Sequence, residues 1–103
     1  MKDHLEMQFH HAMIGVNENA KEHDYFATYF KRMIDQYDGL GAAKRLLAKP
    51  DIQEGLLKLW DLGLLNRSME ALVVLECFRP LFAEGKVAEV YHRLEELNYF
   101  NKD

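Results

Sequence analysis

An all-α fold, one compact domain of about six short helices, is what this sequence predicts, on three observations. Apolar residues recur at three- and four-residue steps through most of the chain. Gly, Pro and Asn interrupt that pattern at helix-length intervals. Only one apolar run, residues 72–75, reads equally well as a buried strand, and no second run exists to pair with it.

The first helix, about residues 3–22, places Leu5, Phe9, Ala12, Met13, Val16 and Ala20 on one face. Gly15 weakens it, and Asn17 and Asn19 offer an early end. Asp24 is suited to cap the next helix, whose Tyr25, Phe26, Tyr29, Phe30, Met33, Ile34 and Tyr37 fill adjacent stripes. That is more large side chain than one narrow face needs, so this helix is expected to be central, or to meet both a core and a partner.

Residues 38–41, Asp-Gly-Leu-Gly, punctuate the chain before a short helix over 42–48 with Ala43, Leu46 and Leu47 inward. Pro50 lacks an amide donor and restricts Lys49, which ends that helix near Ala48. Ile52, Leu56, Leu59 and Trp60 mark a fourth helix closed by Gly63. Asn66 or Ser68 caps a fifth, with Glu70 in its first turn and Met69, Leu72, Val73 and Leu75 as its apolar surface. Arg79-Pro80 breaks the chain. A last helix over 84–97 aligns Val87, Val90, Tyr91, Leu94 and Leu97, with Asn98 as its stop.

The chain has 103 residues, 49% hydrophobic and 29% charged, enough to bury one core without staples. Residues 1–22 read as an N-terminal helix particular to this protein, and 23–103 as the helical core domain. The net charge of −4 gives no general pull toward nucleic acid. Cys77, the only cysteine, has no disulfide partner within the chain and reads as a small buried apolar residue. The N-terminus lacks the apolar core of a secretion signal, and no run reaches the roughly 18 apolar residues of a membrane span. A cytoplasmic location without membrane attachment is the expectation.

Reacting groups are harder to find. His10 and His11 point about 100° apart on a helix, and no HxxxH or CxxC spacing appears, so no metal or other cofactor is expected. Asp51, Glu54, Asp61, Glu70 and Glu76 read as a solvated face, not as a carboxylate held in an apolar pocket. Ser68 has no local base, and the Gly39-Leu40-Gly41 turn lacks a phosphate-cradling pattern. An enzyme is not expected.

The segments GLGAAKRLL, GLLKLWDLGLLNRSMEALVV and FRPLF, with Arg93-Leu94 and Tyr99 after them, resemble a small helical domain widespread among uncharacterised bacterial proteins. The resemblance spans about residues 23–100 and leaves the N-terminal helix outside. Asn98 stands where that domain has glycine, and Gly85 where it usually has an acid. The resemblance implies a shared helical architecture and carries no activity or site residue with it.

What remains is a small bacterial or phage protein that acts by contact. Tyr25, Tyr29, Phe30, Met33 and Tyr37 are the expected partner-binding residues, because exposed aromatics and Met give adaptable, high-area contacts. The partner would be another protein or a second copy of the chain. An inhibitor of a bacterial defence system, such as an anti-CRISPR, is one concrete instance. The alternative is a DNA- or RNA-binding regulator using Lys31, Arg32, Lys44, Arg45 and Lys49. It is less favoured, because the second of its two helices is short and lacks the polar side chains that read base edges.

Overall fold

The computed structural model describes residues 4–25, 28–48 and 54–100. These form α-helices and two short 3-10 turns, with no strand among the described residues. None of the helices is long and apolar enough to cross a membrane. By its contacts the chain divides into two compact units, Met1–Pro50 and Asp51–Asp103.

The first unit is built on a helical hairpin. Helix α1 (His4–Glu22) buries Phe9, Met13, Asn17 and Ala20, a stripe at three- and four-residue steps. The early end expected at Asn17 or Asn19 does not occur: Asn17 is buried, and the helix runs on to Glu22. Helix α2 (Thr28–Leu47) buries Met33 and Ile34, then Gly39, Ala42, Ala43, Leu46 and Leu47. It is interrupted at Asp38, whose backbone angles of φ 63° and ψ 174° are not helical. The break expected at residues 38–41 is therefore present, and the second helical stretch starts at Gly39, three residues before its expected start.

The two helices are also packed tightly at Gly39. A Cβ on Gly39 would lie 2.5 Å from the Cα of His10, so α1 and α2 approach there closely enough to exclude any side chain.

In the second unit, helix α3 (Glu54–Asp61) buries Leu56 and Leu59. Ile52, expected to share their face, lies outside the described residues. A 3-10 turn (Leu65–Arg67) leads into helix α4 (Met69–Val73). Ser68 is its cap: the hydroxyl donates to the Leu65 carbonyl at 2.7 Å and accepts from the Ala71 amide at 3.1 Å, fully buried. Such a cap contributes about 1 kcal/mol. The apolar run 72–75 is not a strand. Leu75 and Cys77 are exposed in the turn after α4, because that helix stops at Val73, too early to fold them inward. Pro80 sits in the second 3-10 turn (Arg79–Leu81), and helix α5 (Glu84–Glu96) buries Val90, Arg93 and Leu94.

Three helices end the same way, with a left-handed residue and two backbone bonds. At α1 it is Asp24 (φ 61°), with Asp24 N–H to the Lys21 carbonyl and Tyr25 N–H to that of Ala20. At α3 it is Gly63 (φ 73°), with Gly63 to Trp60 and Leu64 to Leu59. At α5 it is Asn98 (φ 61°), with Asn98 to Glu95 and Tyr99 to Leu94. Each satisfies carbonyls that the helix end would leave open. Gly63 and Asn98 were legible as stops. Asp24 was expected to open α2; it closes α1.

Asp24 carries both left-handed strain and a negative charge at the negative end of a helix. Asp24→Gly should therefore raise stability by about 0.5–1.5 kcal/mol, measured as a shift in the urea midpoint at unchanged slope.

Candidate functional site

The aromatic residues of α2 do not make one exposed face. Tyr29, in the first turn, is 53% exposed. Phe30 and Tyr25 are half-buried, the latter just beyond the left-handed residue that caps α1. Met33 is buried in the first unit's core. Tyr37 is half-buried, with the Arg45 guanidinium 3.9 Å above its ring centre. The stripe rotates from solvent into the core within two turns, so Tyr29 is the member most open to a partner.

The basic residues are also partly engaged. Lys31 donates to Asp35 at 2.9 Å, and Arg45 lies over Tyr37. Arg32 and Lys44 are exposed. Lys49 lies outside the described residues.

The second unit leaves large apolar side chains exposed on α3. Leu56, Leu57, Leu59 and Trp60 occupy one continuous arc of α3, about 160° wide at 100° per residue. Leu56 and Leu59 are buried, whereas Leu57 is 42% and Trp60 49% exposed. Trp60 thus does not join the core as its place in the fourth helix suggested. A short helix can bury only about a third of its circumference against a neighbour, and the arc exceeds that.

Further along, Arg79, Pro80, Phe82, Glu84, Val87 and Tyr91 line an open groove of about 610 Å³. Arg79 is fixed there by its Nε, which donates to the Val74 carbonyl at 2.8 Å. Tyr91 is stacked on Phe100 at 4.2 Å, and Tyr99 meets Phe100 edge-on at 5.0 Å. Its lining is mostly apolar, with one cation, Arg79, and one anion, Glu84.

Beneath the surface lies a pair of ionisable groups that the sequence did not reveal. Glu70 on α4 was expected on a solvated face; it is 3% exposed. Burial pushes its carboxyl above the usual range, opposed by a bond from its own backbone amide and by the positive charge of Arg93. Arg93 on α5 is 4% exposed and donates through Nη2 to Glu89 Oε1 at 2.8 Å. Glu89 also accepts from Lys86 at 3.0 Å; that bond first, then the charges of Lys86 and Arg93, holds its carboxyl below the usual range. Glu70 and Arg93 are 23 positions apart, too far for helical spacing to signal that the charge of one acts on the other. A carboxyl sealed in this way cannot meet a substrate.

Among the described residues, no three of His, Cys, Asp and Glu converge as metal ligands. His92 lies 3.0 Å from Glu96 and 3.8 Å from Glu95 along its own exposed helix face.

No family model, curated protein or solved structure matches this chain.

Proposed function

We propose that this is a non-enzymatic protein of bacterial or phage origin that acts by protein–protein contact. The observation that carries the reading is the Leu57–Trp60 pair, side by side on α3 and each about half exposed. Large aromatics dominate the energetics of protein contacts, and a tryptophan half in water keeps much of its apolar area for a partner to cover. Tyr29 on α2 offers a second, smaller anchor. The small size and acidic balance suit an inhibitor, and a component of a bacterial defence system is the concrete partner class.

The test compares affinity capture from host cells by the wild type, by Leu57→Lys/Trp60→Lys and by Tyr29→Ala. Each variant loses the covered half of its side chains, about 1–3 kcal/mol for the double change, so capture is compared at a temperature where circular dichroism shows all three chains folded. A single protein held in stoichiometric amount by the wild type should fall at least tenfold with the double variant, about 1.4 kcal/mol of binding. A partner held equally by all three chains, or none held by the wild type, overturns the proposal.

A further inference from the structure

We propose that His10 is a proton-sensitive latch on the break in α2. Gly39 begins the second helical stretch of α2, and its amide donates to His10 Nδ1 at 2.8 Å. The first amides of a helix have no partner within it, so the imidazole supplies what the chain itself does not. The residue before Gly39 is Asp38, held at φ 63° and ψ 174°, a region that glycine alone occupies easily. Such a conformation persists only where the surroundings hold it, and they include the close approach of Gly39 to the His10 backbone and this hydrogen bond.

An imidazole nitrogen accepts a hydrogen bond only while it carries no proton. Protonation at Nδ1 would set two donors against each other and place a positive charge at the positive end of the 39–47 stretch. The latch is closed when His10 is neutral and open when it is charged. Opening releases the strained Asp38 junction, and α2 loosens from α1 at their closest approach. The charged and titratable groups around His10 are Glu6 one turn earlier, His11 with its ring centre 5.9 Å away, and Asp38 beside Gly39. Protonation of Nδ1 removes the bond to Gly39 outright.

The experiment follows the Gly39 amide and the His10 ring by NMR in the full chain from about pH 8 to about pH 5, the range in which imidazoles change charge. The Gly39 resonance should move with the His10 midpoint. In parallel, His10→Asn keeps an acceptor that does not titrate. Over the same pH span the unfolding equilibrium constant of the wild type should rise about 2- to 10-fold relative to that variant, the worth of one hydrogen bond. A Gly39 resonance that stays still while His10 titrates overturns the proposal, whether or not the variant folds. Equal pH dependence in the two chains does the same.

Discussion

Gly39→Ala should cost about 3 kcal/mol or more and is expected to separate α1 from α2. The new methyl would meet the His10 Cα at 2.5 Å and its backbone nitrogen at 3.2 Å, positions that no side-chain rotation relieves. Overpacking a tight contact typically costs about 1–3 kcal/mol, and here the obstacle is backbone. Gly15→Ala is the matched control, because nothing lies within 4 Å of a Cβ there and Gly15 sits inside α1. That change should add about 0.5–1 kcal/mol by removing glycine from a helix interior. Urea titrations of both variants decide the matter. If the Gly39 variant matched the wild type, the close crossing would not hold the hairpin together.

The glycine at position 39 also shows how the sequence informs and misleads. Asp38-Gly39-Leu40-Gly41 was legible as a break because Asp and Gly punctuate helices. That the break serves a helix crossing was not legible, since the neighbour, His10, comes 29 positions earlier. Gly63, Ser68 and Asn98 were readable as caps because capping is local chemistry, written within five residues. Asp24 misled because its carboxylate suits a helix start as well as its backbone suits a helix end. In the candidate site, the width of the apolar arc on α3 was present in the sequence. Which half of it faces water depends on what α3 packs against, and periodicity does not say. Likewise, Met33 and Tyr29 are four apart on one helix, but one is buried and the other exposed.

Arg93→Met is the second substitution with a large expected effect, about 3–5 kcal/mol near pH 8. Methionine retains much of the side chain's bulk, so the loss measures charge more than packing. Glu70, already pushed above the usual carboxylate range by burial, would lose the positive charge of Arg93, which now lowers it. A carboxyl raised in the folded state contributes stability that is full below its unfolded pKa and is lost as pH rises through its folded pKa. In the wild type this loss begins above the ordinary carboxylate range. In Arg93→Met the folded pKa rises further, so the loss continues to higher pH at up to about 1.4 kcal/mol per pH unit. The penalty of the substitution should therefore shrink on acidification toward about pH 5, where Glu70 is neutral in more of the folded population. Glu89 works in the opposite sense. Its depressed carboxyl contributes stability that is present above its unfolded pKa and lost as pH falls through its folded one, a window below that of Glu70. Glu70→Gln/Arg93→Met should recover the part of the loss that comes from Glu70, because no buried carboxylate is then left without a compensating charge, while the bond from Arg93 to Glu89 stays lost. A penalty for Arg93→Met that is flat from about pH 5 to about pH 8, and that survives in full in the double variant, would mean that Arg93 holds α5 by packing and not through the charge of Glu70.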